Sequence, residues 1–193
     1  MGKLVVTEFV SADGVFQDPG GVGEIDRGGW SFKAEHGDEF DKFKTDELMA
    51  ADAQLLGRIT YEGFAKAWPE MEETEGEFAV KMNTMPKYVV STTLSDDDAT
   101  WQNSTVIPGD VPGAVAKLKD EVDGDILIQG SGQLVQTLLD EGLVDELRLM
   151  VFPIIVGEGK HLFGDQRDMS ELRLRDSQTI GPDGIIALIY VPA

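Results

Sequence analysis

The sequence predicts a single α/β domain whose sheet is mostly parallel and ends in an antiparallel hairpin. Three observations carry this. Short β-branched or apolar runs alternate with segments of helical periodicity for most of the length. The runs are nearly continuous in apolar residues, as parallel strands covered on both faces are. The last stretch, 171 to 191, holds two runs joined by Gly181-Pro182-Asp183-Gly184, a turn signal, and so reads as a hairpin. A chain of 193 residues fits one domain spanning 1–193 and is long enough to bury a substantial core.

Leu4 to Val10 is a buried strand that ends at the turn Ser11-Ala12-Asp13-Gly14. Asp18 to Gly29, with Pro19-Gly20-Gly21 and Gly28-Gly29, reads as a long mobile loop. Such a loop inside a compact domain is either functional or a plain surface excursion. Asp38 to Ala51 has helical spacing through Phe40, Phe43, Leu48 and Ala51. Gln54-Leu55-Leu56 is a short strand closed by Gly57-Arg58, and Thr60 to Ala67 is a helix stopped by Pro69. Glu70 to Glu77 carries five glutamates and is predicted as a solvated loop or helix face. Lys87 to Ser91 and Thr105-Val106-Ile107 are strands separated by the turn Ser95 to Asp98. A helix over Val111 to Glu121 precedes the buried strand Asp125 to Ile128. Leu134, Val135, Leu138 and Leu139 form an apolar helical face ended by Gly142, and Glu146 to Val156 is a long strand broken by Pro153.

Composition excludes several chemistries. No cysteine is present, so disulfides, thiolate catalysis and thiolate metal sites are ruled out. With only His36 and His161, a histidine-rich zinc centre is not expected, and without a Gly-x-Ser-x-Gly elbow neither is a Ser-His triad. No metal site is predicted. A net charge of −20 repels nucleic acid and anionic membrane, and it suits a high-salt cytoplasm. Residues 1 to 10 enter a strand directly, with no signal-peptide core, and no apolar run approaches a membrane span, so a cytoplasmic location is expected.

Three segments suit an anionic ligand, and each also has a plain structural explanation. Gly130-Ser131-Gly132-Gln133 lies between a strand and a helix. Glycine there admits an anion to the backbone, and the helix start offers unpaired N–H groups. Val135 stands where a dinucleotide fingerprint needs its third glycine, so an ordinary strand-to-helix turn fits as well. Gly57-Arg58-Ile59-Thr60-Tyr61 repeats the arrangement. Arg58 suits a 2′-phosphate and Thr60 a helix cap, but a surface arginine fits the same residues. Ser91-Thr92-Thr93 follows a strand, where hydroxyls serve either a nucleotide or a turn.

In this order the motifs resemble the dihydrofolate reductase superfamily: Ser11-Ala12-Asp13-Gly14 after the first strand, Gly57 to Tyr61, and the late glycine pair in Ile128-Gln129-Gly130-Ser131-Gly132. Pro153-Ile154-Ile155-Val156-Gly157-Glu158-Gly159 with Leu162-Phe163 resembles the branch typified by the carboxyl-terminal reductase domain of the riboflavin-pathway deaminase/reductase (RibD). The resemblance covers essentially the whole chain. It implies a dihydrofolate reductase-like three-layer sandwich and an NADPH-dependent reductase. Such an enzyme transfers hydride to a C=N or C=O group, as 5-amino-6-(5-phosphoribosylamino)uracil reductase does.

The resemblance also implies a set of site residues. NADPH would lie across the carboxyl edge of the sheet, with Gly57, Arg58 and Thr60 at its adenosine end and Ser91 and Thr92 at the adenine ribose. Gly130, Ser131, Gly132, Gln133 and Leu134 would meet the pyrophosphate. The glycine-rich loop corresponds to a lid, and Val10, Asp13, Gly14 and Trp30 would face the nicotinamide and substrate. Asp13 is the first candidate for the catalytic polar contact. On the first helix, Glu39 and Asp41 are the nearest counterparts of a substrate-binding carboxylate, and Asp41 enters the substrate set, although an exposed helix-face acid is the ordinary alternative. Gln129 stands where the riboflavin reductases usually carry an acid, and Ser131 replaces the second glycine of the pair. Two other readings stay open: a nucleotide-binding relic without catalysis, and a true dihydrofolate reductase. The partners implied are a small-molecule substrate and a second copy of the chain. The run Leu149 to Val156 is either the homodimer interface or an internal strand. Trp68 is expected in the core, Trp101 partly exposed, and His36 and His161 at the surface.

Overall fold

Leu4, Val6 and Val10 join one buried cluster and Val5 joins another, so the first strand separates two cores. The same alternation recurs in Ile126 and Ile128 against Leu127, and in Leu55 against Leu56. It is the packing of a sheet covered on both faces. The computed structural model describes residues 1–164 and 169–193. Strands β1 (Lys3–Ser11), β2 (Ala51–Gly57), β3 (Lys87–Val90), β4 (Ser104–Ile107), β5 (Asp125–Gln129), β6 (Glu146–Phe152), β7 (Leu172–Thr179) and β8 (Ile186–Pro192) form one sheet. Their order is β4-β3-β2-β5-β1-β6-β8-β7. β1 to β6 run parallel, and β8 is antiparallel to both β6 and β7.

The helices are α1 (Gly37–Ala50), α2 (Arg58–Ala67), α3 (Glu72–Glu75), α4 (Glu77–Thr84), α5 (Val111–Glu121) and α6 (Gly132–Asp140). Val115 and Leu118 of α5 and Val135 and Leu138 of α6 fill one face. Leu48 of α1, Tyr61 of α2 and Met82 of α4 fill the other. Each fully buried leucine or valine among them contributes about 1.5–3 kcal/mol. The result is the three-layer, dihydrofolate reductase-like sandwich that the sequence predicts, with the antiparallel pair at its end. A third cluster packs aromatic rings against β6: Phe9 and Trp30 lie 5.2 and 5.5 Å from Phe152, and Phe40 lies 5.6 Å from Phe9.

Some expectations hold and others are corrected. The acidic stretch takes the helix-face form of its two expected alternatives: its glutamates are exposed along α3 and at the start of α4, whose later residues Ala79 and Met82 are buried. The strand from Glu146 ends at Phe152, at the expected break, because Pro153 has no N–H to continue a ladder. β6 lies between β1 and β8, so the run from Leu149 has no free edge for an interface. The edge strands are β4 and β7, and all eight residues of β7 are exposed. Trp101 is only 5% exposed, since its indole N–H reaches Asn83 and its ring stacks under the Lys87 ammonium at 4.2 Å.

The glycine-rich loop has internal ties where mobility was expected. The buried Asp18 carboxylate accepts backbone N–H groups from Val22, Gly23, Glu24 and Ile25 at 2.6–3.4 Å. Arg27 then bonds the Val156 carbonyl, and its backbone N–H bonds Glu158. Among the described residues no helix is long and apolar enough to cross a membrane, and no three histidine, aspartate or glutamate groups converge on a metal position.

Candidate functional site

β2 and β5 are parallel neighbours, so the turns that follow them emerge side by side at the carboxyl edge of the sheet. Ser131 locks the two turns together. Its Oγ accepts the Gly57 N–H at 2.8 Å and donates to Thr60 Oγ1 at 2.9 Å. Gly130 (φ +63°) and Ser131 (φ +64°) are both left-handed. A Cβ on Gly130 would lie 3.1 Å from Thr60 Oγ1, so glycine is what lets the turns approach this closely. Of the predicted cofactor residues, Gly57, Thr60, Gly130 and Ser131 are thus brought into one cluster.

The start of α6 has features of an anion site. Ser131 is its N-cap residue, but the hydroxyl is turned toward Gly57 and makes no cap bond, and the first turn has no acidic residue. Among the described residues, its first backbone N–H groups therefore have no side-chain acceptor, and the positive end of the helix dipole lies there. Gly132 sits against the Phe16 ring, where a Cβ would come within 2.2 Å of Phe16 Cζ. Gln133 is exposed, whereas Leu134 is buried in the core.

The remaining predicted residues divide. Arg58 is exposed at the start of α2 and pairs with Glu62 at 2.9 and 3.0 Å. Ser91 turns its Oγ back to the N–H groups of Thr93 and Leu94, closing a turn, and Thr92 is exposed. Val10 packs into the α5/α6 core, and Gly14 (φ +83°) faces the His161 ring. Trp30 is 2% exposed. It donates its indole N–H to the Gln17 carbonyl and packs at the base of the loop. Asp41 is exposed on α1; the buried carboxylate of that helix is Glu47.

Asp13 is held by three hydrogen bonds. Its carboxylate accepts the Ser11 hydroxyl at 2.6 Å and the backbone N–H groups of Val156 and Gly157 at 3.0 and 2.8 Å. The Ser11 bond, helped by the two amides, outweighs the cost of desolvation and holds its pKa down to about 2. Asp13 is therefore a fixed anion that staples the end of β1 to the 156–157 turn, and it has no proton to give near neutral pH.

Glu8 and the Glu47 group were missed by the sequence reading. Glu8 stands between Val6 and Val10 on the inward stripe of β1, and a charged residue in that period-2 stripe was the available signal. It is 3% exposed, and Oε1 has no hydrogen-bond partner. Burial pushes its carboxyl well above the usual range; Lys44 and the Gly130 backbone amide oppose this, and Glu47 adds to it. On the opposite face, Lys44 bonds Glu47 and Thr7, Arg148 bonds Glu47 and Glu146, and Arg175 bonds Glu146. Burial works against the Arg148 cation, but Glu47 and Glu146 overcome it and raise its pKa.

A sheet of this order, carrying two clasped glycine turns at its carboxyl edge, defines a dihydrofolate reductase-like α/β protein. The fold is shared with dihydrofolate reductase from Enterococcus faecalis complexed with NADP(H), at a TM-score of 0.61, 15% identity and 98% and 96% coverage of the two chains. The chain belongs to the RibD C-terminal domain family, whose model matches residues 2–186. It is 30% identical over 192 residues to the uncharacterized protein YyaP of Bacillus subtilis (strain 168), covering 97% of this chain and 94% of that one. Its fold also matches a protein from Shewanella sp. PV-4 assigned to riboflavin biosynthesis, at a TM-score of 0.75, 20% identity and 99% coverage of both chains.

Proposed function

We propose that the protein is a cytoplasmic NADPH-dependent reductase acting on a C=N or C=O group of a small, heterocyclic or sugar-linked molecule. The observation that carries this reading is the Ser131 clasp, which leaves the start of α6 without a side-chain cap beside two glycine turns. The donor set fits a dinucleotide. Gly130, Ser131, Gly132 and Gln133 would hold the pyrophosphate with backbone N–H groups. Arg58 would leave Glu62 for the 2′-phosphate, and Thr92 lies exposed after β3 for the ribose, beside the turn that Ser91 closes.

When bound, NADPH supplies the hydride, and the carbon of the C=N or C=O group accepts it. The chain positions the two and keeps the pyrophosphate on fixed N–H groups. Asp13, held ionised, orders the Val156–Gly157 turn and leaves the accompanying proton to solvent or to another group. The chain would act as a homodimer through the open β7 edge, where Leu172 and Leu174 are exposed.

Fluorescence titration with NADPH tests the cofactor; no binding at sub-millimolar concentration overturns the reading. Oxidation of NADPH on adding aminopyrimidine or dihydrofolate substrates then separates a reductase from a nucleotide-binding relic. Light scattering of the wild type and of Leu174→Lys tests the dimer.

A further inference from the structure

We propose that Glu8 is a positioning residue for the cofactor turn: as a neutral carboxyl it supports the Gly130-Ser131-Gly132 turn in a form that accepts an anion, and as a carboxylate it closes that turn to anions. The inference rests on the cofactor reading above.

The geometry begins with the strand register. Thr7 pairs with Gln129, which brings Glu8 level with Gly130. Its side chain follows Leu4 and Val6 onto the α5/α6 face, the face on which α6 begins. The Gly130 backbone amide acts on the carboxyl, while Oε1 is buried and unpartnered. Glu8 therefore lies directly beneath the turn whose amides would meet the pyrophosphate.

Among the described residues, the charges around it leave no free counterion to neutralise a carboxylate. Lys44 of α1 is the cation that acts on Glu8, but it is already bonded to Glu47. Arg148 of β6 is shared between Glu47 and Glu146. The first turn of α6 has no acidic residue, and Asp125 lies at the far end of β5. An ionised Glu8 would thus place an unpaired negative charge under the site and hold the Gly130 N–H for itself. A neutral Glu8 carries no charge and accepts that N–H only weakly. Because the buried carboxyl is displaced upward, the neutral form is the resting one below its raised pKa.

Linkage fixes the sign. If the neutral form binds NADPH better, affinity is highest at low pH and falls once pH rises through the pKa of Glu8 in the free protein. Above that point the fall approaches about tenfold per pH unit. The experiment is an NADPH titration from about pH 7.5 to 10, where the cofactor phosphates are already ionised, with wild type, Glu8→Gln and Glu8→Leu. In wild type, affinity should fall with rising pH, approaching about tenfold per unit once the pKa of Glu8 is passed. Glu8→Gln keeps a neutral group of the same shape, so it should retain the low-pH affinity throughout. Glu8→Leu removes the support and should bind more weakly at every pH.

A Glu8→Gln profile that tracks wild type overturns the inference, and so does an equal loss in both variants at all pH values, the mark of a merely structural role. Should Glu8→Gln fail to fold, wild type alone decides. At the alkaline end, binding should take up about one proton per site, read by calorimetry in buffers of different ionisation enthalpy. Absence of uptake overturns it. NADPH binding with a flat wild-type profile sinks this inference alone, whereas no binding at any pH sinks the cofactor reading with it.

Discussion

Ser131 is where the clasp can be tested with a pair of substitutions of opposing effect. Its hydroxyl makes two hydrogen bonds, 2.8 Å from the Gly57 N–H and 2.9 Å to Thr60 Oγ1, while its backbone sits at φ +64°. Ser131→Ala removes both bonds and keeps the left-handed strain. Thr60 is only half-buried and regains a partner from water, but the Gly57 N–H loses its acceptor, so the net cost should be about 2 kcal/mol. Ser131→Gly loses the same bonds, but without a Cβ it recovers about 1 kcal/mol of the left-handed penalty. Its net cost is therefore about 1 kcal/mol. Urea denaturation followed by circular dichroism measures both, and an unchanged slope shows that the difference lies in stability. NADPH affinity should drop about tenfold in each, an effect of about 1.4 kcal/mol, because the two turns lose their common anchor. The reasoning is refuted if Ser131→Gly is as unstable as Ser131→Ala, or if neither moves the denaturation midpoint.

Arg58→Ala should weaken NADPH by about tenfold or more and leave NADH unchanged, since a charge-assisted bond to the 2′-phosphate is worth about 1.5–3 kcal/mol; competitive titration of the two cofactors reads this. Asp13→Asn should lower stability by about 1–2 kcal/mol through its weakened bonds to the 156–157 turn, with kcat reduced far less than loss of a proton donor would require. Thermal melts beside steady-state rates distinguish the two roles. Lys87 is fully buried, its ammonium donating to the carbonyls of Asn83, Met85 and Gln102, and burial lowers its pKa to about 8. Between that value and 10.5 the unfolded chain binds more protons, so this residue makes stability rise with pH, by up to about 3 kcal/mol. Lys87→Met should abolish that rise. A denaturation series from pH 7 to pH 10.5 that keeps the same slope in the variant would contradict it.

The sequence by itself determined the alternation of strands and helices, the closing hairpin and the two glycine turns, because periodicity and turn chemistry act within a few residues. Its errors came from beyond that range: Trp101 was expected to be partly exposed, and its burial depends on Asn83 and Lys87, neither of them a neighbour in the chain. What only the tertiary structure decided is which polar groups meet. The Ser131–Gly57 bond joins residues 74 positions apart, and the Asp13 bonds to Val156 and Gly157 span 143 and 144. Those contacts show a candidate polar contact tied into a staple and a glycine substitute acting as a clasp. Glu8 was visible as a charge in an apolar strand. Its neighbour Gly130, and with it the pressure to stay neutral, follows from strand pairing across the sheet, and no local pattern encodes that pairing.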